Sequence, residues 1–183
     1  HTAQGPMLLQ QPDPQSGTCF TCHDGTGALS DVRSDWDDPA LPANDPAAAS
    51  YYSHPATTTG GHISGVEDEF AGVLNRHAVC ADCHQPHLSD GTKAVQSTGG
   101  WSASGAIQAP GVAVTNGAAG SAPTYAWEQV ATFEYELCLK CHSGYTTLPA
   151  QDAAHPSRWA LDKGIELNPA NGSYHPIQAA GTN

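Results

Sequence analysis

The sequence is short of large apolar side chains. Leu, Val, Ile and Phe together make up 26 of 183 residues, about 14%. That lies below the roughly 20% at which a strongly charged chain is expected to stay disordered. Small residues fill the gap, with 28 Ala, 19 Gly and 14 Pro. A large core of protein side chains is therefore excluded, because too little apolar surface is available to offset the entropy of ordering the chain. Basic residues are scarce as well. Six Lys and Arg stand against 18 Asp and Glu, for a net charge of −12. This argues against nucleic-acid binding, which needs a surface that neutralises phosphates. No apolar run approaches the length of a membrane-spanning helix. The length suits one domain, or two.

Cysteine and histidine are present in informative numbers, six and ten. All six cysteines fall in three copies of one pattern: Cys19-Phe20-Thr21-Cys22-His23, Cys80-Ala81-Asp82-Cys83-His84 and Cys138-Leu139-Lys140-Cys141-His142. C-x-x-C-H is the attachment motif of c-type haem. Two thiols at this spacing add across the two haem vinyl groups as thioethers, and the next residue, His, reaches the iron as proximal ligand. The pattern points to three covalent c-type haems. Cys19, Cys22, Cys80, Cys83, Cys138 and Cys141 would attach them, and His23, His84 and His142 would bind iron. A single C-x-x-C would equally suit a redox dithiol or half of a zinc site, and six cysteines could form a disulfide framework. Neither explains a His after every pair with no cysteine left over.

Three haems change the expected fold. Each is a flat, mostly apolar disc, and a chain rich in Ala, Gly and Pro can coat it closely. The expected fold is mostly irregular coil with a few short helices and little sheet, cored by haem. One short helix is expected over 67–84, where Glu67, Asp68 and Glu69 suit a helix start. Another is expected over 125–142, leading into the third motif. Residues 36–62 read as loop, and 89–123 as irregular chain or a small hairpin. The whole chain, 1–183, reads as a single trihaem domain. Its segments are 1–66 around haem 1, 67–123 around haem 2 and 124–183 around haem 3. His54, in Ser53-His54-Pro55, follows His23 by 31 residues, and His175, in Tyr174-His175-Pro176, follows His142 by 33. The middle motif instead has His on both sides, so the pattern resembles one and a half copies of a two-haem unit.

Haem iron takes two protein ligands in an electron carrier, and keeps one position open where it binds a small molecule. Seven His remain for three distal positions: His1, His54, His62, His77, His87, His155 and His175. Bis-His ligation of all three irons is expected, with His to spare. His54 and His175 rank first, for haems 1 and 3, because the spacing repeats and the following Pro stiffens the backbone. His87 comes next. It sits three residues past His84, cannot easily turn back onto the same iron, and would reach an adjacent haem or one in another subunit. His77, just before the second motif, follows, then His155 of Ala154-His155-Pro156. His1 and His62 are weaker, and Met7 reads as packing.

These stretches resemble the multihaem c-type cytochromes with doubled C-x-x-C-H motifs, which are abundant in metal-reducing bacteria. The resemblance rests on residues 76–87, from Arg76-His77 through Cys80 and Cys83-His84 to Gln85-Pro86-His87. It rests also on Tyr135-Glu136-Leu137-Cys138-Leu139-Lys140-Cys141-His142-Ser143-Gly144, and on residues 167–176, ending in Ser173-Tyr174-His175-Pro176. It covers about a third of the chain. It implies an exported, bis-His, low-potential electron carrier. Some members of the family polymerise into extracellular filaments of stacked haems, with one distal His donated by the next subunit. Three haems is fewer than the four or more such chains often carry.

The expected activity is electron transfer, not catalysis. Three closely packed haems would relay electrons, with the chain a subunit of an extracellular or cell-surface filament built head to tail. Its partners would be further copies of itself, redox proteins or an extracellular acceptor. A monomeric periplasmic or cell-surface carrier is the alternative. A small haem-dependent oxyanion reductase is a further one. It needs an open iron site and cations to hold the anion, of which the chain offers only Arg33, Arg76, Lys93, Lys140, Arg158 and Lys163. Haem attachment to c-type cytochromes takes place outside the cytoplasm, so export is expected. The start at His1, without Met or a charged–apolar leader, reads as a mature chain after signal removal. Asn171-Gly172-Ser173 matches a glycosylation sequon but reads as structural.

Overall fold

The computed structural model describes residues 16–27, 31–33, 54, 69–72, 77–85, 108–148 and 162–180. The chain divides into two compact units. One is His1–His62 with His77–Ala81, and the other is Ile63–Arg76 with Asp82–Asn183. The second C-x-x-C-H motif is shared, with Cys80 and Ala81 in the first unit and Asp82 onward in the second.

In the first unit, helix α1 (Ser16–Phe20) leads into the first motif. Its Phe20 is buried, as is Val79. The buried Ser16 hydroxyl accepts the backbone N–H of Cys80 at 3.2 Å. A turn follows the motif, closed by the Asp24 carboxylate. It accepts the Thr26 backbone N–H at 3.1 Å and the Thr26 hydroxyl at 2.6 Å.

Helix α2 (Cys80–Cys83) is the second motif itself. In the second unit, strands β1 (Gly111–Thr115) and β2 (Thr124–Glu128) form an antiparallel hairpin, with Val112 opposite Trp127 and Val114 opposite Tyr125. The β-branched and aromatic residues on facing positions explain the pairing. Helix α3 (Glu134–Leu139) follows and packs on β1. The approach is close enough that a Cβ on Gly111 would stand 3.2 Å from the Cβ of Glu136. Beneath lie the buried Ala109, Ala131 and Leu137. Helix α4 (Lys163–Glu166) begins at Asp162, whose side chain accepts the Gly164 N–H at 2.8 Å as N-cap.

The loop between the strands is docked by side-chain amides. The fully buried Asn168 donates to the carbonyls of Gly117 and Ala118, both at 3.2 Å. Gly120 takes a positive φ of 73°, which glycine adopts without steric cost, and its N–H reaches Asn171 Oδ1 at 2.8 Å. Among the described residues, eight buried hydrophobic residues stand against ten buried polar or charged ones. The folding of this region rests on hydrogen bonding as much as on apolar contact.

Two sequence expectations are corrected. No helix runs over 125–142: its first part is strand β2, and α3 occupies only Glu134–Leu139. Pairing with β1 overrides the local preference there. The helix expected over 67–84 is not continuous: the described residues hold a turn at 69–72, irregular chain at 77–79 and helix at Cys80–Cys83, and residues 67–68 and 73–76 lie outside the described residues. Gly72, at a positive φ of 62°, lies in that turn. Its N–H donates to Tyr145 O at 2.9 Å, and its carbonyl accepts the Thr147 hydroxyl at 2.8 Å. The loop expected over 36–62 lies outside the described residues, apart from His54.

Candidate cofactor-attachment site

Each C-x-x-C-H motif sits on one helical turn. In the first, the N–H groups of Cys22 and His23 both donate to Cys19 O, at 3.1 and 3.0 Å. In the third, Cys141 and His142 both donate to Cys138 O, at 3.2 and 2.9 Å. Positions i, i+3 and i+4 of a helical turn share a face, so both cysteines and the histidine of a motif project together.

Burial follows the same division. His23, His84 and His142 are exposed, as are Cys22, Cys83 and Cys138, and the other three cysteines are half-buried. The intervening residues supply the inward anchors, namely Phe20, Asp82, and Leu139 with Lys140. Each motif thus pairs a half-buried and an exposed cysteine with an exposed histidine above a packed turn. A flat cofactor bonded at three points needs this arrangement, and the residues fit a c-type haem.

His23 and His142 share a second feature that spacing does not reveal. The carbonyl of His23 accepts the backbone N–H of Arg33 at 3.1 Å, and that of His142 accepts the backbone N–H of Lys163 at 3.0 Å. Each histidine is held from behind by a distant stretch of chain. Around His142 the support is dense. Asp162 Oδ1 accepts the Tyr125 hydroxyl at 2.6 Å as well as the Gly164 N–H. Burial first, and then the Asp162 carboxylate, push the Tyr125 phenol above its ordinary value.

The alternatives weighed for cysteine find little support. The Cys19 thiol is raised above its ordinary value, first by a hydrogen bond with the Cys80 thiol and then by burial. Cys138 is exposed as a residue, but its thiol folds back onto Glu134 O and is raised by desolvation there, with the Glu134 carboxylate adding to it. A redox dithiol needs the opposite shift. All six cysteines are free thiols rather than disulfides. Among the described residues, no group of metal-ligating side chains that includes a cysteine converges within ligand range, as a zinc site built on these motifs would need.

Of the distal candidates, His54 lies in the same unit as the first motif and His175 in the same unit as the third, and both are exposed. His77 is buried. His87 and His155 lie outside the described residues, as do His1, His62 and Met7. The structure places no distal candidate against a given motif.

Lys140 is the residue that motif reading passed over. It is buried inside the third motif, and its ammonium donates to Asp82 O at 2.8 Å and Pro110 O at 3.0 Å. It also lies 5.2 Å from the centroid of the Phe70 ring, within cation–π range. The second variable position of motif three is thereby joined to the second variable position of motif two.

No helix among the described residues is long and apolar enough to cross a membrane. Comparison with protein-family models, with curated proteins and with solved structures finds no match to this chain.

Proposed function

We propose that the chain is an electron carrier that binds three c-type haems covalently. The observation that carries this reading is the threefold C-x-x-C-H repeat, in which each cysteine pair stands on a helical turn, one thiol half-buried and one exposed, followed by an exposed histidine. Cys19 with Cys22, Cys80 with Cys83, and Cys138 with Cys141 would form the thioethers, and His23, His84 and His142 would ligate iron. Bound there, haem supplies a one-electron Fe(III)/Fe(II) couple. The backbone bonds from Arg33 and Lys163 would hold two of the proximal imidazoles in fixed orientation. Two buried donors without an acceptor, Trp127 Nε1 and Gln178 Nε2, suit carboxylates such as the haem propionates.

His54 and His175 lead the candidates for the distal positions, ahead of His87, His77 and His155. With more histidines than distal positions, one imidazole can serve the next copy of the chain, and a head-to-tail filament outside the cell is the proposed assembly. A discrete carrier is the alternative. The test is intact mass and the haem spectrum of native protein, with electron microscopy of the same sample. Three haems, low-spin ferric signals and filaments are expected. A mass without haem sinks the reading, and discrete particles alone sink the filament.

A further inference from the structure

Lys140 brings a buried positive charge to the point where two haem-attachment turns meet. Its own position precedes Cys141 by one residue, and the carbonyl it contacts belongs to Asp82, which precedes Cys83 by one. Its other acceptor, Pro110 O, is uncharged backbone, and the ammonium also faces the ring of Phe70. At 3% exposure the ammonium is shielded from water and salt, so its field is screened far less than that of a surface lysine. The two carbonyls and the ring lower the cost of burying it.

We propose that Lys140 sets the reduction potentials of haems 2 and 3 together. The inference rests on the trihaem reading. Reduction adds one electron at each iron, with no bond made or broken, and so lowers the positive charge there by one. A fixed cation beside both sites favours the reduced form of each, and charge and burial are among the determinants of haem potential. Lys140 is a positioning charge rather than an iron ligand. Haem 1 has no such neighbour in its own turn, where the equivalent position is the exposed Thr21.

The experiment is a spectroelectrochemical titration of haem-loaded protein, as parent, Lys140→Met and Lys140→Arg. The electrode supplies the electrons through mediators. Lys140→Met removes the charge at similar length, and two of the three midpoint potentials are expected to fall while the third stays. Lys140→Arg keeps the charge and is expected to hold all three near the parent. Three unchanged potentials in Lys140→Met overturn the proposal. So does an equal shift of all three, or a shift of the same size in Lys140→Arg, because either marks a structural effect rather than charge. If Lys140→Met does not accumulate with haem, Lys140→Gln, which keeps a donor for one carbonyl, is judged by the same criteria. A parent protein that binds no haem overturns the trihaem reading instead, and its mass distinguishes that failure.

Discussion

Lys163 donates its backbone N–H to the carbonyl oxygen of His142 at 3.0 Å, tying the start of α4 to the histidine of the third motif. Asp162 makes that start possible, since its carboxylate caps the helix at Gly164 and takes the Tyr125 hydroxyl. Asp162→Ala removes the cap, worth about 1 kcal/mol, and leaves the Tyr125 hydroxyl short of a partner at a similar cost. A loss of about 2 kcal/mol is expected in thermal unfolding of the haem-loaded protein. A change in the paramagnetic resonance of one haem out of three should accompany it. An unchanged Tm would show that α4 does not depend on this cap.

The same corner fixes a glycine. A Cβ on Gly164 would fall 2.0 Å from the Tyr125 hydroxyl oxygen and 3.0 Å from both Asp162 Oδ1 and Pro123 Cγ. Gly164→Ala is expected to cost about 1–3 kcal/mol through overpacking. Tyr125→Phe removes the worst clash, so the double variant should lose less than the sum of the two single ones. Strict additivity in denaturant titrations would contradict the geometry.

Glu136 gives the stability a pH dependence. Burial raises its carboxyl above the ordinary 4.5, against the pull of the Phe133 and Thr132 N–H groups that its Oε2 accepts. The folded chain therefore keeps this proton to higher pH than the unfolded chain does. The stability that protonation contributes is full below about 4.5 and is lost as pH rises through the folded value. Glu136→Gln keeps an acceptor oxygen for the same N–H groups and removes the titration. Plotted against pH just above 4.5, Tm should decline more steeply in the parent than in this variant. Parallel curves would rule Glu136 out as the cause.

Asn171 matches a glycosylation sequon, but its side chain is engaged on both sides. Nδ2 donates to Ile165 O at 2.7 Å, and Oδ1 accepts the Gly120 N–H. A sugar on Nδ2 would displace the first bond and undock the hairpin loop. Peptide mapping of native protein should find Asn171 unmodified. Asn171→Ala should cost about 1–3 kcal/mol, because two backbone groups lose their partner.

The parts legible in the sequence are those set by local geometry. Cys19, Cys22 and His23 fall on one helical face because four residues of spacing decide it, and the same holds for Cys138, Cys141 and His142. The hairpin was less legible. Thr124-Tyr125-Ala126-Trp127-Glu128 becomes strand because Gly111–Thr115 lies alongside it, a partner that the reading of 125–142 as one helix left out. In the sequence Lys140 is a variable motif position and one of six scattered cations, and nothing near it marks it as buried. Its acceptors, Asp82 and Pro110, are 58 and 30 residues away. The sequence offered candidates for the distal ligand but no way to assign them, since a distal histidine is chosen by long-range placement around a haem rather than by spacing.

The shortage of large apolar residues leads to the most general prediction. Only eight hydrophobic residues are buried among the described ones, three of them beneath the hairpin and α3, and ten polar or charged residues are buried beside them. Hydrogen bonds of that kind contribute about 1 kcal/mol each against water, while each ordered residue costs at least that much in backbone entropy. The proposed haems add apolar surface and tie the chain at nine points, three per motif. Without them, a cooperative transition is not expected. A variant with all six cysteines changed to Ser should show the circular dichroism of disordered chain and unfold without a sigmoidal transition, whereas the haem-loaded protein should melt cooperatively. A haem-free variant with a sharp melting transition and an ordered near-ultraviolet spectrum would show that the chain folds on its own side chains, and the proposed role of haem as core would fall with it.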